Sequence, residues 1–127
     1  MATGTAQIKL DQSALKELAA SFRGELVRPG DPSYDEHRKI WNGAIDRHPA
    51  LIARCAGVDD VTAAIAFARR HPLPVAVRSG GHSFPGLSLC EGGFVIDLAE
   101  VQGIRFDPVA PTLHVAVGLL TGRAREA

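Results

Sequence analysis

The sequence has few cysteines, no excess of charge of one sign and no long apolar run. Its two cysteines, Cys55 and Cys90, are too few for a disulfide scaffold and too far apart for a zinc or redox pair. Fourteen acidic residues balance fourteen basic ones, and a chain without basic excess is not built to bind a nucleic-acid backbone. No apolar stretch approaches the roughly 20 residues that cross a membrane, and the first residues lack the pattern of a secretory signal. We therefore expect a cytoplasmic protein that binds neither nucleic acid nor membrane.

The remaining composition is that of one globular domain. Hydrophobic residues make up 46% of the chain and charged residues 22%, which are ordinary values for a folded protein. A length of 127 residues is enough for one hydrophobic core and not for two domains. The five histidines are scattered and form no pair of metal ligands on one helix face. The sequence therefore predicts a single domain without a metal site.

Short apolar runs separated by turn signals predict an α+β fold, with helices early and strands late. Trp41 is predicted to be a packing anchor at a turn over residues 41–43. The predicted elements are a helix that begins at Asp11 or Ser13, a strand over 25–28, a short helix over 34–39, a strand over 51–54, a helix over 58–71, and strands over 75–77, 94–98, 104–106 and 112–117.

The strand–helix–strand unit over residues 51–77 is the best-defined part of this pattern. Asp59 and Asp60 suit the positive end of the helix, and Pro72 ends it. The helical spacing of apolar residues predicts Val61, Ile65 and Ala68 as the buried positions, with Ala64 and Phe67 beside them. Burial of Ile65 is therefore expected to stabilise the domain.

A glycine-rich segment, Arg-Ser-Gly-Gly-His-Ser over residues 78–83, follows the strand over 75–77. Adjacent glycines permit positive φ and remove side chains that block close approach, so several backbone N–H groups are able to face one anion. Arg78 and the hydroxyls of Ser79 and Ser83 add donors, and His82 projects from the middle of the segment. The pattern favours a phosphate-binding turn between two strands, because Pro85 and Gly86 oppose a helix there.

Other interpretations of this segment fit less well. Taken alone, a glycine-rich loop is more often a tight surface turn with an exposed histidine. A nucleophile elbow needs Gly-x-Ser-x-Gly, and here Pro85 stands where the second glycine belongs. A Rossmann fingerprint needs Gly-x-Gly-x-x-Gly, but Gly80 and Gly81 are adjacent. A small hydrolase that uses Ser83 therefore has little support.

The loop sequence resembles the flavin-attachment loop of FAD-linked oxidases, and more narrowly that of the berberine bridge enzyme-like group. Similar segments occur in the family's order over roughly residues 25–118, which is more specific than one loop. They are an entry segment (34–43 and 49–52), a first long helix (58–69), a strand after the loop (92–98) and a hairpin (104–117).

This resemblance implies the N-terminal portion of a p-cresol methylhydroxylase-type FAD-binding domain, with a small mixed sheet and flanking helices. It assigns residues 1–24 to an N-terminal tail and helix, and residues 25–127 to the N-terminal part of the FAD-binding domain. Family members transfer a hydride from an alcohol, amine or sugar to FAD and are reoxidised by dioxygen. The resemblance implies a covalent link between FAD and His82. The implied cofactor-binding residues are Arg78, Ser79, Gly80, Gly81, His82 and Ser83.

The family pattern also includes segments that these residues do not contain. A second glycine-rich cofactor segment and a substrate domain follow in the family, and the usual catalytic acids and bases lie in those parts. We therefore expect weak or no flavin binding by these residues alone, and a complementing chain is one way to complete the site. The alternative is a non-catalytic remnant or interaction module of the same fold without flavin. Cys90 lies too close to His82 to make a second flavin link.

Overall fold

The computed structural model describes residues 11–81, 86–102, 104–110 and 112–118. The predicted helices and strands are confirmed as elements, with ends that shift by a few residues. They are α1 (Gln12–Ser21), β1 (Glu25–Val27), α2 (Tyr34–His37), β2 (Leu51–Arg54), α3 (Val58–Arg70), β3 (Val75–Arg78), β4 (Phe94–Asp97), β5 (Ile104–Asp107) and β6 (Thr112–Val115).

Four strands form a mixed sheet in the order β1-β2-β4-β3. β1 runs antiparallel to β2, whereas β2, β4 and β3 are parallel to one another. The chain therefore leaves β2, passes through α3, and returns as β3 with space for β4 between the two strands. β5 and β6 form a separate antiparallel hairpin. The predicted α+β class and small mixed sheet are confirmed.

Both faces of the central strands are covered, which explains why every residue of β4 is buried. On one face, α1 and α3 pack against residues such as Phe94 and Ile96. On the other face, Tyr34 and Leu89 pack against Ile52 and Val95. α1 contributes Leu15 and Leu18 to the first of these layers, so it shares the core of the sheet. The domain boundary after residue 24 stays a prediction.

The buried face of α3 differs from the predicted one. Asp60, Ala64 and Phe67 face the protein interior, whereas Ile65 is 46% exposed. Each residue of an α-helix is turned by about 100° from the one before, so the burial of Ala64 carries Ile65 towards solvent. The prediction that Ile65 is a core residue is wrong, because the apolar pattern alone did not fix the rotation of the helix.

The carboxylate of Asp60 joins three chain segments at the start of α3. It accepts hydrogen bonds from the backbone N–H groups of Arg23 and Gly24 at 2.8 Å each and of Ala56 at 2.9 Å. Burial by itself raises the pKa of Asp60, but these backbone donors outweigh it, so the pKa lies below its usual value. Asp60 therefore ties α1 to β1 and to the end of β2, a role beyond the predicted interaction with the helix dipole.

The aromatic anchor of the 34–49 region is Tyr34 rather than Trp41. The Tyr34 ring is buried, and its hydroxyl donates to the carbonyl oxygen of Pro49 at 2.7 Å. The Trp41 ring is 70% exposed, so the prediction that it anchors the turn by packing is wrong. Beside it, the partly buried Ile40 packs against the layer that contains Tyr34.

Candidate cofactor-binding site

The three parallel strands end in charged residues that lie side by side. Arg54 ends β2, Asp97 ends β4 and Arg78 ends β3, and the strand register pairs Asp97 with both arginines. The glycine-rich loop leaves the sheet at this carboxyl edge, directly after Arg78. Ligands of open sheets with parallel strands bind at the carboxyl ends of the strands, so this edge is where a cofactor is expected.

Asp97 is the centre of the charged group and is only 3% exposed. Its Oδ2 atom lies 2.5 Å from Nη2 of Arg78 and 3.5 Å from Nε of Arg54. Its Oδ1 atom accepts a hydrogen bond from the Ala99 N–H at 3.0 Å. Arg54 also reaches Glu100, with Nη2 3.0 Å from Oε1. Two positive and two negative charges thus balance beneath the loop.

The Arg78 side chain is turned into the protein. Besides Asp97, its guanidinium donates from Nη1 to the carbonyl oxygen of Lys39 at 3.3 Å, and the residue is buried. Arg78 therefore fixes the end of β3 and the start of the loop. Its predicted contact with a cofactor phosphate stays a prediction.

The loop bends immediately after β3. Gly81 adopts a φ of +71°, which favours glycine, and its carbonyl oxygen accepts a hydrogen bond from the Trp41 N–H at 2.8 Å. A Cβ atom at Gly81 would lie 3.6 Å from Ile40, an ordinary contact, so the backbone angle rather than lack of space requires glycine. Residues 79–81 form bends, as predicted, while His82 and Ser83 lie outside the described residues.

The Ser79 hydroxyl is already used within the protein. Its Oγ donates to the carbonyl oxygen of Val117 at 2.5 Å, which links the loop to the segment after β6. A hydroxyl has one hydrogen to donate, so this bond leaves only the oxygen lone pairs of Ser79 for other partners. A phosphate at this position is therefore better met by backbone N–H groups than by the Ser79 hydroxyl.

The far end of the loop is held by residues that sequence analysis did not single out. Arg47 donates from Nη1 to the carbonyl oxygens of Gly86 at 2.6 Å and Leu89 at 3.1 Å. Gly86 has a φ of +80°, and a Cβ atom there would lie 2.8 Å from Cγ2 of Ile45. Residues 39–47, which we call the flanking segment, thus contact the loop at its start, at Gly81 and at Gly86.

A signal for the charged edge was present in the sequence. The three parallel strands read Leu-Ile-Ala-Arg, Val-Ala-Val-Arg and Phe-Val-Ile-Asp, so each apolar run ends in a charged residue. Parallel strands bring such residues to one edge. Asp97 was missed because the strand order that places β4 between the two arginines is not visible in the sequence.

The two cysteines are unpaired thiols, as predicted. Burial raises the pKa of Cys55 to about 11 and also raises the pKa of Cys90. Both thiols therefore stay protonated near neutral pH, and protonated thiols are poor nucleophiles.

Two further features concern only the part of the chain that the structure describes. Within it, no helix is long and apolar enough to cross a membrane. Among the same residues, no group of three or more histidine, cysteine, aspartate or glutamate side chains is arranged to hold a metal ion.

The chain is similar in sequence and in fold to known proteins. Over 102 residues the chain is 34% identical to (R)-6-hydroxynicotine oxidase of Paenarthrobacter nicotinovorans. The aligned residues make up 80% of this chain and 22% of that relative. The crystal structure of 6-hydroxy-D-nicotine oxidase from Arthrobacter nicotinovorans superposes with a TM-score of 0.81 at 32% identity, over 94% of this chain and 25% of that one. BBE-like 1 of Physcomitrella patens shares the fold, with a TM-score of 0.68 at 24% identity over 76% of this chain and 21% of that one.

The fold of this chain is shared with 6-hydroxy-D-nicotine oxidase, and its sequence is similar to those of FAD-linked oxidoreductases of Bacillus subtilis. Residues 49–127 match the FAD binding domain family, and the chain belongs to that family. It spans about a quarter of the length of the relatives it matches.

Proposed function

We propose that this chain holds FAD at residues 78–83 and serves as the FAD-binding portion of a flavin-dependent oxidoreductase. The observation that carries the proposal is the glycine-rich bend at the carboxyl edge of the parallel strands, with Gly81 at positive φ. Bound FAD supplies the redox chemistry, accepting a hydride from an alcohol, amine or sugar and passing electrons to dioxygen. The chain contributes binding and orientation.

The backbone of the loop is the part suited to the FAD pyrophosphate. The charges of Arg54 and Arg78 are balanced by Asp97 and Glu100, so none of these side chains is left to neutralise a phosphate. Backbone N–H groups of a glycine-containing bend meet an anion without a competing side chain. We therefore assign the pyrophosphate contacts to the backbone of Ser79, Gly80, Gly81 and Ser83, and loop support to Arg78.

We further propose that His82 carries the cofactor covalently, as the family resemblance implies. His82 would hold FAD through a bond between an imidazole nitrogen and the 8α-methyl carbon, with one hydrogen lost from each. Dioxygen would take up these two hydrogens with their electrons as hydrogen peroxide. Histidine suits this role because its imidazole is largely neutral near pH 7.

A complementing polypeptide is the third part of the proposal. The chain spans about a quarter of its relatives, and exposed apolar side chains remain on its edge strand and hairpin. Val75 and Val77 are exposed on β3, and Phe106 and Val115 on the β5–β6 hairpin. We expect a second polypeptide segment to cover them and to supply the rest of the FAD site and the substrate site.

The experiment follows acid-stable flavin on the chain. The chain is coexpressed with the remaining three quarters of 6-hydroxy-D-nicotine oxidase, denatured in acid and separated on a gel, and flavin fluorescence is read from the 127-residue band. We expect fluorescence with the unchanged chain and with His114→Ala, whose histidine lies on β6, and none with His82→Ala. Acid-stable flavin on the His82→Ala band would contradict the attachment, and no flavin with any chain would contradict the proposal as a whole.

A further inference from the structure

The sequence contains one tryptophan, and its side chain is exposed next to the glycine-rich loop. The Trp41 backbone N–H donates to the carbonyl oxygen of Gly81 at 2.8 Å, so the residue lies directly beside the loop. The indole is nevertheless 70% exposed. A large apolar ring at this place contributes little to the core of the domain.

The neighbours of Trp41 hold it in position from within. Ile40 packs with the buried layer and lies under Gly81. On the other side, the Ile45 N–H donates to the carbonyl oxygen of Asn42 at 3.0 Å, and Ile45 packs against Gly86. The backbone of the flanking segment is therefore fixed at both ends, while the indole between them is presented to solvent.

Of the charged side chains at the flanking segment, those of Arg38, Asp46 and Arg47 have partners in the protein, whereas Lys39 is exposed. Arg38 pairs with Asp35 and Asp46, and Arg47 donates to the loop carbonyl of Gly86. Arg78 pairs with Asp97. The flanking segment thus offers a ligand a flat aromatic surface beside one exposed lysine, and the aromatic surface suits a planar ring better than a phosphate.

We propose that the indole of Trp41 is a stacking surface for a planar ring of FAD, whose pyrophosphate lies on the adjacent loop. This inference rests on the function proposed above. FAD has two planar ring systems, adenine and isoalloxazine, and each has a flat aromatic face on which an indole is able to stack. ADP contains only adenine and FMN only isoalloxazine, so these two ligands show which ring stacks on Trp41.

The test uses the single indole N–H signal that one tryptophan gives in a ¹H–¹⁵N NMR spectrum. The 127-residue chain is titrated to millimolar concentrations with FAD, ADP and FMN in separate experiments. We expect FAD, and one of the two half-ligands, to shift the indole signal together with the backbone signal of Gly81. NMR suits this question because it detects weak binding, and because flavins quench tryptophan fluorescence by energy transfer without contact.

Variants then measure what the ring contributes, with the Gly81 signal as the common readout. Loss of stacking on an aromatic ring lowers affinity by about 5-fold or more, so we expect Trp41→Ala to raise the Kd for FAD by at least that factor. Trp41→Phe keeps an aromatic face and is expected to stay within about 3-fold of the unchanged chain. Phe106→Ala removes another exposed aromatic ring, on β5, and is the matched control.

The outcomes separate this inference from the proposed function. A shift with ADP identifies adenine as the stacked ring, and a shift with FMN identifies the isoalloxazine. Equal FAD affinity of Trp41→Ala and the unchanged chain overturns the stacking role and leaves the FAD site intact. An equal loss in Phe106→Ala also overturns it, because the effect is then not specific to the indole. No change of either signal with millimolar FAD overturns the stacking role, whereas the proposed function is judged by acid-stable flavin on the coexpressed chain.

Discussion

Replacing Asp97 with asparagine tests how much the charged edge stabilises the domain. Asparagine has nearly the same shape, and its Oδ1 atom is still able to accept the Ala99 N–H. What it removes is the negative charge that faces Arg78 at 2.5 Å and Arg54 at 3.5 Å. Arg54 keeps Glu100 as a partner, whereas the buried Arg78 keeps, among the described residues, only the carbonyl oxygen of Lys39. The main cost therefore falls on Arg78.

The expected loss of stability is large, although Asp97→Asn replaces only a carboxylate oxygen with an amide group. Breaking a buried ion pair from one side destabilises a protein by about 3–5 kcal/mol, because the remaining charge stays buried without its partner. The free energy of unfolding of domains of this size is about 5–15 kcal/mol, so Asp97→Asn should remove a large part of it. With a urea m-value of about 1–3 kcal/mol/M, the unfolding midpoint should fall by at least about 1 M.

The assay is urea unfolding followed by far-ultraviolet circular dichroism, with Glu100→Gln as the control. Glu100 also pairs with Arg54, but it is exposed, and exposed ion pairs contribute only about 0–1 kcal/mol. We also expect Arg78→Met to rescue part of the loss in the double variant, because no uncompensated charge then remains. The reasoning is refuted if Asp97→Asn lowers the free energy of unfolding no more than Glu100→Gln does. It is also refuted if the double variant loses as much stability as Asp97→Asn and Arg78→Met lose together as single variants.

Three further predictions concern α3 and the loop. Asp60→Asn should cost about 1.5–3 kcal/mol near pH 7, since three backbone donors lose a charged acceptor. The native pKa of Asp60 lies below its usual value of 3.8, so the stabilisation by its carboxylate is present above that pH and is lost as the pH falls below it. Urea midpoints should therefore converge for the two proteins on acidification, and a constant gap down to pH 2 would contradict this. Phe67→Ala should cost about 3–5 kcal/mol by thermal unfolding. Ile65→Asp should cost about 1 kcal/mol, because Ile65 is 46% exposed and only about half of its side chain is removed from water. The opposite order would show that the helix is rotated differently. Gly81→Val should destabilise the domain by roughly 1–3 kcal/mol and weaken FAD binding, because its φ of +71° is strained for a β-branched residue. Gly43→Ala, at an open position, should be nearly neutral, and equal effects would argue against the turn.

The loop shows how far local sequence patterns reach. The glycine pair predicted a turn after the strand over 75–77 and permitted a positive φ, which Gly81 adopts. Turn chemistry acts over a few residues, so it is readable from the chain. The contacts that hold the loop are different in kind: Arg47 and Gly86 are separated by 39 residues, and no local pattern links them.

Local signals therefore determined the order of helices and strands, the position of the glycine-rich bend and the family resemblance. Tertiary structure alone decided which side chains meet. Asp97 stands between Arg54 and Arg78 because β4 enters the sheet between two strands that precede it in the chain. Asp60 accepts hydrogen bonds from Arg23 and Gly24, which precede it by 37 and 36 positions. Ile65 faces solvent because packing sets the rotation of α3. Backbone propensity acts along the chain, whereas strand order and helix rotation depend on burying apolar surface from distant segments together.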